Sequence, residues 1–193
     1  KFQLKKWQGL HHFVLAFSAT DVSDAEQGRG NVSRRKGQHN VVQALPLLQL
    51  KFPQIHYHIA GIPTERERVE RLSEQLKVST RVTFHDVLDN QAVSELLQDS
   101  NILMQLSENT TDGDVEGFGI AILEANAVGL PAIGSKGCGI EDAIRDGFSG
   151  RLVEAHNPQE ILEAVQEIFE NYQMYAANAR VWAAEFTWKK RGQ

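Results

Sequence analysis

The chain has 193 residues, a formal net charge of −5, 41% hydrophobic and 23% charged residues, and one cysteine, Cys138. That composition suits one soluble globular domain; it argues against a mainly electrostatic nucleic-acid partner and leaves no second cysteine for an internal disulfide or a CxxC metal site. No apolar run approaches the ~18 residues of a membrane span, so the expected setting is cytoplasmic, with any membrane association of a longer parent chain peripheral.

In chain order, 13–17 is a continuous apolar run, as expected for a strand covered on both faces. The polar stretch 18–37, ending in Arg34-Arg35-Lys36-Gly37, reads as a loop. Val41, Val42, Leu45, Leu48 and Leu50 mark a helix from 38, which Pro46 should shorten or kink. A strand at 55–60 ends in Gly61, and a helix over 64–77 follows, capped by Thr64. Strand 81–85 leads to a helix capped by Asn90, and strand 102–106 comes next. Helix 120–128 stops at Gly129, before a strand at 130–133 that ends in Gly134-Ser135. A short helix at 140–145, a strand at 151–153, a helix opened by Asn157-Pro158 and a last helix over 173–185 complete the chain.

Strands that alternate with helices in this way pair in parallel through right-handed crossovers, which gives an open, doubly wound α/β sheet of Rossmann-like type. Ligands of such sheets lie beyond the carboxyl ends of the strands, where the strand order reverses.

The stretch from Asp112 to Glu124, Asp-Gly-Asp-Val-Glu-Gly-Phe-Gly-Ile-Ala-Ile-Leu-Glu, passes through Gly117 and Gly119 into a helix. The first amides of such a helix lack intrahelical partners and favour phosphate. Glu116 and Glu124 stand about 12 Å apart along a continuous helix, too far for the ~5 Å carboxylate pair of a retaining glycosidase. The spacing suits two contacts to one long ligand. A tight turn with both glutamates in water fits the pattern as well. An EF-hand loop would need glutamate where Leu123 stands, and the Asp112-Gly-Asp114 pair also has the form of a metal-binding D-x-D. Gly28-Arg-Gly30 does not join a strand directly to a helix, against a nicotinamide or flavin fingerprint.

His56 and His58 alternate along one strand and read as packing rather than metal ligands, as do His11 and His12. His39 reads as a solvated helix start, with an approach to phosphate as its alternative. Arg66 to Arg71 reads as a charged, solvated helix face, and Trp182, Phe186 and Trp188 as an anchor for the last helix.

The Glu116-to-Glu124 segment resembles the E-x7-E motif of retaining family-4 (group 1) glycosyltransferases, and Gly129-Leu-Pro131-Ala-Ile-Gly134 resembles the strand that follows it. Arg35-Lys36-Gly37 is similar to the family's phosphate loop, Ile59-Ala-Gly61 to a later glycine turn, and Asp146-Gly147 with Gly150-Arg-Leu-Val153 to its D-G-x-x-G-x-L-V segment. The wording around Asp114 is especially like the branch that includes phosphatidylinositol mannosyltransferases.

The resemblance implies the C-terminal, donor-binding half of a GT-B enzyme that transfers a hexosyl unit with retention. No metal or cofactor is implied beyond a UDP- or GDP-sugar co-substrate. It implies that Lys36, with Arg35 or Arg29, clamps the diphosphate, that Glu116 meets the sugar hydroxyls, and that Gly117, Phe118, Gly119 and Ile120 offer their amides. Glu124 would take the ribose hydroxyls, and Asp86, Val87 and Leu88 the base, with Asp86 in place of a common glycine. Residues 1–193 form one donor domain, 1–10 being the end of a linker from an N-terminal acceptor domain that is its partner; the domain alone is expected to be inactive. A non-catalytic nucleotide-binding module of the same fold is the alternative.

Overall fold

The computed structural model describes residues 13–18, 36–61, 64–108 and 118–186. Six strands, β1 (Phe13–Ser18), β2 (Ile55–Ala60), β3 (Val82–His85), β4 (Ile102–Gln105), β5 (Ala132–Ser135) and β6 (Gly150–Val153), form one sheet in the order β3-β2-β1-β4-β5-β6. All neighbours are parallel. The connecting helices are α1 (Gln38–Lys51), α2 (Arg66–Gln75), α3 (Asn90–Asp99), α4 (Ile120–Ala127), α5 (Pro158–Glu170) and α6 (Tyr172–Glu185).

The central strands β1, β4 and β5 are buried on both faces, as their alternate residues show. Leu15, Tyr57, Met104 and Ile133 join α1 and α5 in one apolar cluster, while Ala16, Leu103 and Ala132 join α3 and α4 in the other. This is why β1 reads as an unbroken apolar run, whereas β2, covered on one face, alternates Ile55, Tyr57 and Ile59 with His56 and His58. Each such side chain contributes roughly 1.5–3 kcal/mol by leaving water.

Several local expectations are corrected. α1 runs through Pro46 without interruption. Its buried residues Val41, Val42, Ala44, Leu45 and Leu48 hold the helix to the sheet and offset the missing N–H; Leu50 is 78% exposed and lies off that face. α2 is opened by Glu65 and not Thr64, since the carbonyl of Glu65 takes the amides of Arg68 and Val69. α3 is capped by Asp89, one residue before Asn90, its carboxylate accepting the Ala92 amide at 2.8 Å. The segment Gly139–Ala143 is a 3-10 turn. Strand β5 begins at Ala132, two residues later than the apolar pattern suggests, and Arg81 belongs to the 3-10 turn Ser79–Arg81 before β3. At α5 the expected cap is present: Asn157 accepts the Glu160 amide at 3.2 Å, with Pro158 in the first turn.

The last helix is anchored as anticipated. Trp182 donates its indole N–H to the Ala143 carbonyl at 2.9 Å and meets Phe186 edge to face, and Phe186 in turn meets Phe118. Trp188 lies outside the described residues, as do His11, His12 and residues 1–10. Arg66 to Arg71 form the expected charged face, with pairs Arg66–Glu70 and Arg71–Glu67.

His56 and His58 do pack, and the third member of their group comes from the next strand. His58 Nδ1 lies 2.7 Å from His85 Nε2, and His56 Nε2 lies 2.8 Å from the Thr83 hydroxyl. Burial, then the neighbouring His56 and His85, push His58 down from 6.5 to about 4. Its folded form is therefore neutral over a range in which the unfolded chain takes up a proton. Stability from this ring is present above about pH 6.5 and lost as pH falls toward 4. Allowing for water at the half-buried ring, the loss should be about 2 kcal/mol. Urea unfolding at pH 7 and pH 4.5 should show it, and His58→Asn should shrink the difference; an unchanged difference in that variant would assign the acid sensitivity elsewhere.

Candidate functional site

The strand order reverses between β1 and β4, so the crevice expected of this topology opens at their carboxyl ends. Two helices begin there. Lys36-Gly37 leads into α1, and Phe118-Gly119 leads into α4. Both starts use glycine in the left-handed region, φ 72° at Gly37 and φ 75° at Gly119, and neither helix has a side-chain cap. Each helix thus starts at a residue with no side chain of its own to cap it, with the positive end of its dipole at the crevice.

Gly37 matters for a further reason. A Cβ there would overlap the main-chain carbonyl of Leu106, so only glycine lets the head of α1 lie against the end of β4. Asn40, buried in the first turn of α1, fixes the same contact by donating to the Leu106 carbonyl at 3.1 Å. The ends of β4 and β5 are joined by Ser135, which donates to the Ser107 carbonyl at 2.5 Å, while within the end of β4 Gln105 donates to the Ser107 hydroxyl at 3.3 Å. The end of β4 is therefore tied to the head of α1 on one side and to β5 on the other.

Of the predicted site residues, Lys36, Phe118, Gly119, Ile120 and Glu124 stand at or just inside these two helix heads, and Lys36 is half-buried. Glu124 is exposed, four residues into α4, about 6 Å along the helix from Ile120. Phe118 packs its ring on Phe186 at 5.4 Å, which leaves its main chain as the part available to a ligand. Arg29, Arg35, Glu116 and Gly117 lie outside the described residues, as do Asp112 and Asp114.

The segment Asp86-Val87-Leu88 leaves the carboxyl end of β3. Asp86 is held by Arg66 at 3.0 Å, and Arg66 is itself pinned by Glu70 and lies over the Phe84 ring. The Glu70 hydrogen bond is the main reason the Arg66 guanidinium is pushed above its usual range. Leu88 packs into the second core cluster, but Val87 is 54% exposed, as Ile120 is at 58%. Two apolar side chains from the predicted binding segments thus remain open to solvent.

Sequence reasoning missed the residues around Glu108. This carboxylate, just beyond β4, accepts from Asn40 at 2.5 Å and meets His39 at 3.1 Å and His156 at 3.6 Å. His39 is thereby drawn in, with a side chain only 12% exposed, which corrects the expectation of a solvated helix start. The only sequence signal for Glu108 is its place directly after a buried strand.

Among the described residues, no group of three or more His, Cys, Asp or Glu side chains is placed to hold a metal ion. No described helix is long and apolar enough to cross a membrane.

Sheet order, two-sided burial and the glycine-opened crevice define a doubly wound α/β protein of the Rossmann-like class. The chain belongs to the glycosyl transferases group 1 family, whose model matches residues 29–182. It is 28% identical over 163 residues to a GDP-mannose-dependent alpha-(1-6)-phosphatidylinositol monomannoside mannosyltransferase of Mycolicibacterium smegmatis, covering 82% of this chain and 43% of that protein. It is 29% identical over 170 residues to the D-inositol 3-phosphate glycosyltransferase of Corynebacterium urealyticum, covering 83% of this chain and 39% of that one. The fold is shared with Anabaena HepE in complex with UDP and glucose, with a TM-score of 0.73 at 21% identity over 94% of this chain and 46% of HepE. It is shared also with a crystallised C-terminal domain of a glycosyl transferase group 1 protein, LpcC from Francisella tularensis, with a TM-score of 0.72 at 18% identity. That match covers 94% of this chain and 91% of the LpcC domain. The chain spans less than half the length of both curated relatives and of HepE.

Proposed function

We propose that this chain binds the nucleotide-diphospho-sugar donor of a retaining glycosyltransferase, and that the acceptor is held by another half of a longer protein. The observation that carries the reading is the pairing of two glycine-opened helices on the two strands that flank the switch point. A pyrophosphate between them meets first-turn amides from both sides and the Lys36 ammonium from one.

In this arrangement Lys36, with Arg35 or Arg29, balances the charge that gathers on the departing nucleotide. Glu116 takes the sugar hydroxyls, Glu124 the ribose hydroxyls, and the amides from Gly117 to Ile120 the sugar and phosphate oxygens. The base lies along Asp86, Val87 and Leu88. Transfer needs no metal in this scheme, because the amides and cations meet the charge, and the leaving phosphate helps to deprotonate the acceptor. The relatives' names include both a GDP-mannose-dependent enzyme and a complex with UDP and glucose, so both donor types are tested.

Calorimetry of the chain with UDP-glucose and with GDP-mannose, in the presence of EDTA, should show saturable binding of one donor in preference to the other. Binding of neither would support a fold retained without its nucleotide site. Binding abolished by EDTA would overturn the metal-independent scheme.

A further inference from the structure

The group around Glu108 draws on three separate parts of the chain. Glu108 follows β4, His39 and Asn40 belong to the first turn of α1, and His156 lies in the turn before α5. All three partners meet the same carboxylate oxygen, Oε1, at 3.1 Å from His39, 2.5 Å from Asn40 and 3.6 Å from His156. Asn40 divides its amide between this oxygen and the Leu106 carbonyl, so it cannot move without releasing both. The carboxylate is only 18% exposed.

We infer that Glu108 is a positioning residue for the donor, a clasp that seats the head of α1 against β4 and whose charge is cancelled by protonation of His39. The inference rests on the proposal that a diphosphate binds at that helix head. Its geometric part acts through Asn40 and is independent of pH. Its electrostatic part follows from where the carboxylate stands. An ionised Glu108 beside the anion site opposes a diphosphate unless a cation neutralises it, and the adjacent carboxylate favours the imidazolium form of His39.

Among the described residues, Glu108 meets His39 directly, His156, 69% exposed, shares the same oxygen more loosely, and Lys36 stands three residues earlier, just before α1. Lys136, Glu154 and Glu160, from the β5 and β6 ends and α5, pair among themselves.

The clasp predicts a pattern across three variants, read by calorimetry of the whole chain with UDP-glucose and GDP-mannose, whose diester phosphates do not titrate between pH 6 and pH 8. The unaltered chain should bind about fivefold tighter at the acid end, the size of a partly exposed ion pair. Glu108→Gln keeps an acceptor for Asn40 and removes the charge, so its affinity should lie near the acidic value with a much smaller pH response, His39 then titrating at lower pH. His39→Gln leaves Glu108 ionised and should be flat near the weaker, alkaline value. Glu108→Ala releases Asn40 and should lose about tenfold at both ends, the cost of a buried hydrogen bond to a charged group. If Glu108→Ala melts too low to assay, the other two variants decide. Glu108→Gln keeping the full pH response, or Glu108→Ala binding normally, would overturn the clasp. Should the chain bind neither donor, the functional proposal fails, and NMR titration of His39 still tests the clasp: its midpoint should fall by about one unit in Glu108→Gln, and an unmoved midpoint rejects it.

Discussion

Gly37→Ala should be among the most damaging single substitutions in this chain. Alanine at φ 72° costs roughly 1–2 kcal/mol from its own backbone conformation. The Cβ also lands on the Leu106 main-chain carbonyl, and a strand backbone cannot rotate aside as a side chain does. The head of α1 must lift off β4, breaking the Asn40 bond to Leu106 and adding a cost of the ~1–3 kcal/mol order seen for overpacked sites. The total is about 2–5 kcal/mol, a fall in melting temperature of the order of 10 °C for a domain of this size. Gly147→Ala supplies the comparison. Its φ is 70°, nearly the same, but nothing lies within 4 Å of the added atom. It should cost only the conformational part, roughly 1–2 kcal/mol. Equal melting temperatures for the two variants would show that the contact between α1 and β4 is looser than described.

Much of this architecture is legible in the sequence because burial on two faces leaves a plain mark. The run from 13 to 17 has no polar alternation, and Leu15 and Ala16 in fact pack into opposite clusters. The glycines before α1 and α4 are legible for a related reason, since a strand-to-helix turn that approaches a neighbouring backbone excludes a side chain. Caps are read less well. Thr64 and Glu65 stand side by side, as do Asp89 and Asn90, and which of each pair opens the helix is decided by a hydrogen bond that both could form in an isolated peptide. Pro46 misleads because local propensity is outweighed by the five buried apolar residues of α1. The Glu108 group is not legible at all. His39, Glu108 and His156 are far apart in the chain, and they meet because the sheet order sets β4 beside β1 and the helices return to one edge.

Lys36→Ala should cost more in binding than any other exposed-site substitution among the described residues, and the ligand dependence of the loss should identify its partner. A hydrogen bond from an ammonium to a phosphate oxygen is worth roughly 1.5–3 kcal/mol, so affinity for a nucleoside diphosphate should fall about 10- to 100-fold. The matching nucleoside, measured by competition, carries no phosphate and should bind the variant as it binds the unaltered chain. Glu124→Gln should behave in the opposite way. A glutamine oxygen still accepts one ribose hydroxyl, but its amide nitrogen cannot accept the second, so nucleoside and diphosphate should weaken together, by about tenfold. Salt gives an independent reading: the Lys36 contribution is partly exposed and should shrink as ionic strength rises, while the loss in Glu124→Gln, between an acid and neutral hydroxyls, should change little. If Lys36→Ala weakened the nucleoside as much as the diphosphate, the ammonium would not be facing phosphate, and the two helix heads would have to be read as a tight fold junction in place of an anion site.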